Sequence, residues 1–227
     1  MRRFRGRRAQ ARSDSRNSRS GQAIRTRELE RLSGSCPLGE QLSSGRIEVM
    51  PHVIEAAATG RAKCRGCGGK IAALELRFGE RLPNPFADGE TTHWFHLDCA
   101  AFKRPEPFLE ALAEKKEPLE GSERLESEAR RGVAHRRLPR IDGAERAPSG
   151  RASCRSCREP IGKDVWRIRL VFHEDGRFVP SGCVHVRCSR AYFETADVLP
   201  RVQRFAPDLR DEDLKEIRQE LEGPASA

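Results

Sequence analysis

One stretch of this chain occurs twice, ninety residues apart: Thr59-Gly60-Arg61-Ala62-Lys63-Cys64-Arg65-Gly66-Cys67 lies over Ser149-Gly150-Arg151-Ala152-Ser153-Cys154-Arg155-Ser156-Cys157. Gly, Arg, Ala, Cys, Arg and Cys coincide. The register holds through Ile71 over Ile161 and Arg77 over Arg167, then slips by one, so that His96-Leu97-Asp98-Cys99 meets His185-Val186-Arg187-Cys188. A repeat of this kind makes the unit of folding the module rather than the chain. Each copy is about sixty residues long, too short to be stabilised by a large apolar core. The composition agrees, with 34% charged residues and only 6% aromatic. Something other than hydrophobic burial must hold each module together.

The repeated residues supply it. Cys64-x-x-Cys67 followed by His96-x-x-Cys99 offers three thiolates and one imidazole, the donor set of a closed tetrahedral zinc site, and Cys154, Cys157, His185 and Cys188 offer it again. Soft sulfur ligands with no position left for water indicate structural zinc rather than catalysis. Two zinc ions per chain are expected, each closing its own module, with Cys64→Ala or Cys154→Ala unfolding one module and sparing the other. Cys36 and Cys183 fall outside the quartets, and Cys183, two residues before His185, is read as a small buried residue. His93 and His135 have no partner at ligand spacing.

Strand signals are short but consistent. Leu74–Phe78 and Val165–Leu170 alternate apolar with charged residues, and Asp88-Gly89 and Asp175-Gly176 supply hairpin turns. Helical composition follows each His-x-x-Cys, at Ala100–Lys103 and Ser189–Phe193. Phe108–Lys116 is also helix-forming until Pro118, after which the charged stretch to Ala147 lacks apolar periodicity and reads as linker. Leu214, Ile217 and Leu221 form one apolar face of a short helix between Pro207-Asp208 and Gly223-Pro224.

The net charge of +9 is localised. Ten arginines stand against Asp14 alone in residues 1–27, which is the whole of it, while the other 200 residues balance at 33 basic and 33 acidic. The Arg-, Ser- and Gly-rich start is read as a disordered electrostatic tail. No run of eighteen apolar residues is present and no apolar stretch follows the N-terminal charges, so no membrane partner is expected and an intracellular, thiol-reducing location is. The localisation is cytoplasmic and nucleoid-associated for a bacterial protein, or nuclear for a eukaryotic one.

The Gly150-Arg151-Ala152-Ser153-Cys154 start, the spacing of some thirty residues and the His93-Trp94-Phe95-His96-Leu97-Asp98-Cys99 end together resemble the PARP-type zinc finger, found in poly(ADP-ribose) polymerase and in a DNA ligase. The resemblance covers both modules. It implies small α+β zinc-stabilised modules, each a short antiparallel sheet plus helix, and with the readings above the expected order is 1–47 tail, 48–108 first finger, 109–142 charged linker with helical content, 143–205 second finger and 206–227 C-terminal helix. It also implies binding of DNA ends, nicks or junctions by structure rather than sequence. By position, Arg61, Arg77, Arg151 and Arg167 match backbone-gripping arginines, and Phe86 matches the residue that stacks on an exposed base pair, with Phe178 or Val179 in its place in the second copy. Bracing of the knuckle by Arg61 and Arg151, and inward packing of Phe86, are the structural alternatives. The second copy departs at Gly182-Cys183-Val184-His185, where the aromatic pair of the first is missing. No catalytic constellation is apparent, so the chain is read as a non-enzymatic DNA-binding protein. The alternative is a protein-interaction adaptor, or a regulatory subunit of a separate DNA-repair enzyme, that retains the zinc fold.

Overall fold

The computed structural model describes residues 51–84 and 87–223. The Arg-rich tail, Cys36 and Phe86 lie outside the described residues. Each copy of the repeat folds as three antiparallel strands paired in chain order. The first sheet has β1 (Val53–Ala56), β2 (Leu76–Pro83) and β3 (Glu90–His96); the second has β4 (Ile141–Arg146), β5 (Trp166–Glu174) and β6 (Arg177–His185). Alternation places the faces: Trp166, Ile168 and Leu170 are buried while Arg167 and Arg169 between them are half-exposed. Asp175 and Gly176, with φ of 48° and 72°, make the two-residue turn of the second hairpin, as the Asp-Gly pair requires. The first hairpin is longer at its tip, where the Asn84 N–H donates to the Gly89 carbonyl at 2.9 Å. The one-residue slip between the copies therefore falls in the hairpins.

Three helices follow the first sheet: α1 (Leu97–Lys103), α2 (Pro105–Glu114) and α3 (Ser122–Ala134). Pro105 stands where a helix tolerates it, in the first turn. The linker expectation for 109–142 is corrected here. Its residues complete α2, form α3 and a 3₁₀ turn at Leu138–Arg140, and begin β4. The apolar stripe of α3 is only Leu125, Ala129 and Gly132, too thin to register against so many charges, yet all three are buried. At Gly132 a Cβ would sit 3.2 Å from the Pro105 ring, so the glycine sets how closely α3 approaches α2.

After β6 come a 3₁₀ turn at Val186–Cys188, then α4 (Ser189–Phe193), α5 (Leu199–Phe205) and α6 (Asp211–Glu222). The last helix begins three residues later than Asp208, where the Asp213 carboxylate accepts from the Arg210 backbone N–H at 3.1 Å and from its guanidinium at 3.2 Å. Ile217 is fully buried against the second core, with Leu221 packed beside it.

Two cores result, and they are unequal. The second, built on Ile141, Ile168, Leu170, Val184, Val198 and Val202, draws all of its buried residues from position 138 onward. The first, built on Phe78, Phe95, Phe102 and Phe108, also includes Phe205 of α5 and has Phe178 of β6 packed on it. Gly143 in β4, at φ 91°, permits this, because a Cβ there would lie 2.6 Å from the Phe205 carbonyl oxygen. Lys103, its side chain fully buried, pairs with Asp142 at 3.0 Å and lies 4.3 Å from the centroid of the Phe205 ring. Arg201, also fully buried, donates to the Glu128 carboxylate at 3.0 Å and to the Glu128 carbonyl at 2.9 Å. The expectation of two separately closed modules is thus corrected: the second closes itself, and the first is closed by the second.

Candidate metal centres

The same knuckle is built twice, bond for bond. The Cys64 N–H donates to the Gly69 carbonyl and the Cys154 N–H to the Glu159 carbonyl, both at 2.8 Å. The next residue ties the knuckle to the sheet, Arg65 N–H to the Trp94 carbonyl and Arg155 N–H to the Cys183 carbonyl. Beyond it, Ile71 and Ile161 close the loop on the carbonyls of Ala62 and Ala152. The knuckle presents two sulfurs, and the end of the third strand with the turn after it presents a histidine and a third sulfur.

In each module the four donor atoms lie within 4.8 Å of one another: Cys64, Cys67, His96 and Cys99 in the first, Cys154, Cys157, His185 and Cys188 in the second. The Nδ1 of His96 is 3.4 Å from the Cys67 sulfur and 3.8 Å from that of Cys99; the corresponding distances at His185 are 3.5 and 3.8 Å. Ligand bonds of about 2.3 Å to sulfur and about 2.0–2.1 Å to nitrogen put such a pair about 3.6 Å apart in a tetrahedral site. The donors fit zinc. Cys183 is buried outside its quartet, and burial pushes its thiol up.

Electrostatics asks for the cation. Hydrogen bonds from Cys64 and Cys99 hold the Cys67 thiol far below its ordinary value, and those from Cys64 and Cys67 push the Cys99 thiol far above it. Burial, with the Cys154 charge beside it, pushes Cys188 up to about 12. Without a positive charge the protein cannot keep three thiolates together; a bound zinc supplies that charge and crosslinks the knuckle to the sheet. The outer contacts orient the ligands. His96 Nε2 meets the Lys70 carbonyl at 3.1 Å, leaving Nδ1 for the metal, and burial favours the neutral form of His185. Backbone N–H groups of His96 and His185 point at the Cys64 and Cys154 sulfurs, each at 3.4 Å. Among the described residues, a side chain from the other module takes part in the first centre and not in the second: Arg204 of α5 donates from Nε to the Cys99 sulfur at 3.1 Å. No spacing rule could have found Arg204, since 105 residues separate it from Cys99.

The residues matched to DNA contacts are placed less uniformly. Arg61 and Arg151 are exposed on the turn before each knuckle. Arg77 and Arg167 are each paired to a glutamate across the strand. Arg77 Nη2 lies 2.6 Å from Glu55, Arg167 Nε lies 3.0 Å from Glu145, and both pairs are direct β-partners. Arg77 also lies flat on Trp94, 3.5 Å from the ring centroid. Phe178 is half-buried against the first module, edge-on to Phe95 at 6.3 Å and beside His173 at 4.9 Å. A bulge between Leu170 and Val171 explains why. Both of those residues are buried, the faces exchange beyond them, and His173 and Phe178 turn inward while Phe172 and Val179 turn out. Phe172 and Val179 are direct partners, 47% and 44% exposed. Val179 was in the sequence reading and Phe172 was not.

Residues 55–136 match the family model described as the poly(ADP-ribose) polymerase and DNA ligase zinc-finger region. The chain is also similar to part of longer proteins: 29% identical over 211 residues to poly [ADP-ribose] polymerase of Sarcophaga peregrina, covering 78% of this chain and 21% of that one. It is 29% identical over 190 residues to poly [ADP-ribose] polymerase 1 of Danio rerio, covering 74% and 18%. A third relative is the polynucleotide 3'-phosphatase ZDP of Arabidopsis thaliana, 26% identical over 176 residues, 66% of this chain and 25% of that one. The chain spans about a fifth of the length of the polymerases it matches.

Proposed function

We propose that this chain, which carries a zinc-finger region of the poly(ADP-ribose) polymerase and DNA ligase type, is a pair of such fingers that binds broken DNA by its structure and has no reaction of its own. The observation that carries the reading is the outer face of the second hairpin. Phe172 and Val179 stand side by side, nearly half exposed, with the Arg140 guanidinium 5.2 Å from the centroid of the Phe172 ring. An apolar pair flanked by a cation suits the flat face of a terminal base pair with a phosphate beside it. Continuous duplex has no such face. Arg61 and Arg151, exposed before each knuckle, would take backbone phosphates of the same strand.

Binding of a nicked or blunt duplex compared with a covalently closed circle tests this. Phe172→Ala is expected to weaken binding to the broken forms by about 1–3 kcal/mol and to leave the closed circle nearly unchanged. Equal affinity for all forms ends the break-binding reading, and turnover of a 3'-phosphorylated nick, the substrate class in the plant relative's name, ends the non-enzymatic one. One observation favours a second reading, a protein-interaction adaptor: Arg77 and Arg167 are already occupied by Glu55 and Glu145. If the adaptor reading holds, the salt dependence of any DNA binding comes from residues 1–27, whose removal then abolishes it.

A further inference from the structure

The second module gathers four arginines around one cavity, and none of them is among the residues matched to DNA contacts by sequence. Arg137, Arg140, Arg155 and Arg158 line an open pocket of about 370 Å³ with Ser156 and Tyr192. The volume suits a small ligand or a ligand's charged group. The pocket is held from both sides. Arg137 donates to the Tyr192 carbonyl at 2.9 Å with its guanidinium 5.0 Å from the Tyr192 ring centroid, and Arg140 is laid against Phe172. Among the described residues, the carboxylate paired with one of these guanidiniums is Glu194, exposed and 3.8 Å from Arg137. Four guanidiniums against one carboxylate leave an excess of positive charge with N–H donors to spare.

A separate observation points the same way. Arg158 has φ 70°, in the left-handed region that favours glycine, and its N–H donates to the Cys154 carbonyl. The first knuckle has Gly68 at that place, with φ 74° and the same bond to Cys64. The turn is a glycine turn, and the second copy puts an arginine in it. Ser156 likewise stands where the first copy has Gly66, and of the two knuckle arginines only Arg155 has a counterpart, Arg65. A side chain kept against its backbone preference marks a site that uses it.

We propose that this cavity is a phosphate-binding site, in which the arginine forks share the oxygens of one phosphate group. The phosphate belongs to a nucleic-acid strand or to a free phosphate-bearing ligand, and the experiment separates these sources. The zinc-loaded full chain is compared with R140Q and R158G. The second variant restores the residue that the backbone prefers, so lost binding there does not reflect lost folding. Inorganic pyrophosphate is titrated while the guanidinium Nε–H signals of Arg155 and Arg158 are followed by NMR; both are expected to shift, with affinity at least tenfold weaker in either variant. In parallel, binding of a nicked duplex is measured against salt. A log–log slope reduced by about 0.9 for each arginine removed assigns the site to strand phosphates. An unchanged slope with a positive pyrophosphate result assigns it to a free ligand. No shift with pyrophosphate and an unchanged slope overturn the proposal. Should the wild-type chain bind no DNA, the DNA reading fails and the pyrophosphate arm still decides the cavity.

Discussion

The two modules share their knuckles to the hydrogen bond and the order of their strands, and differ in what fills the cores around them. Where the first copy has Trp94 under Arg77, the second has Cys183 near Arg167, with sulfur and guanidinium 3.9 Å apart. Phenylalanines fill the first core and aliphatic side chains most of the second. The first core is completed by Phe205, and its metal centre is contacted by Arg204, both from α5; the second core uses nothing from the first. Surplus charge follows the same division. Residues 143–205 hold twelve Lys and Arg against seven Asp and Glu, whereas residues 48–108 hold eight of each. The metal ligands and the loop that carries them fix one local geometry whatever the core is made of, which frees the remainder of each copy to specialise. Here the first copy became the dependent one and the second the support.

The sharpest way to break this comparison is to remove one zinc at a time. Two zinc ions per chain are expected. Cys154→Ala should unfold the second module and loosen the first, because a lost structural site forfeits a share of about 10–16 kcal/mol, comparable with a whole domain's stability. Cys64→Ala should unfold the first module and leave the second folded. Circular dichroism with metal analysis reads both, and symmetric behaviour of the two variants would refute the dependence. Next in size, Phe205→Ala should cost about 3–5 kcal/mol, and hydrogen exchange should show the loss around Phe78 and Phe95 rather than around Ile168.

Asp142→Asn leaves the buried Lys103 charge without its partner. A cost toward the lower end of about 3–5 kcal/mol is expected, since Asp142 itself is partly exposed. Burial already lowers the pKa of Lys103, against the pull of Asp142. A lysine whose folded pKa lies below the unfolded one carries its full penalty below the folded value and sheds it as pH rises from there toward about 10.4. Denaturation of the variant against wild type should therefore show a gap that narrows at alkaline pH; a constant gap assigns the effect to packing. Arg204→Ala should weaken zinc binding at the first centre alone by about 10–100-fold, read by chelator competition. The smallest effect is at the knuckle turn. Gly68→Arg should destabilise by about 1–2 kcal/mol, while Arg158→Gly should be neutral or slightly stabilising in thermal melts.

What the sequence disclosed was what is local or repeated. Both quartets, both turns, β2 and β5, and the apolar face of α6 follow from spacing and alternation within a few residues of each other. The helix α3 did not, because its buried stripe is three small or medium residues in a field of charge, and its burial is decided by Pro105 and Arg201, far away in the chain. Phe178 and Val179 were equal candidates until the bulge after Leu170 assigned them to opposite faces. Arg77 and Arg167 were correctly placed on the polar side of their strands. Their glutamate partners on β1 and β4 were not foreseen, because a four-residue strand such as β1 has no period to read.

Phe205 has one more consequence, for synthesis. Every other residue of the first core lies between Ala57 and Ala129, and these leave the ribosome while α5 is still inside it or not yet made. During that interval the nascent first module can bind its zinc and form its sheet, but the flank of Phe102, which Phe205 meets edge-on at 6.2 Å in the finished fold, stays bare. The usual order of domain folding is thereby altered. The first module emerges first and is finished last, and a stalled or truncated chain ending before position 205 presents that open apolar flank to whatever waits outside the tunnel.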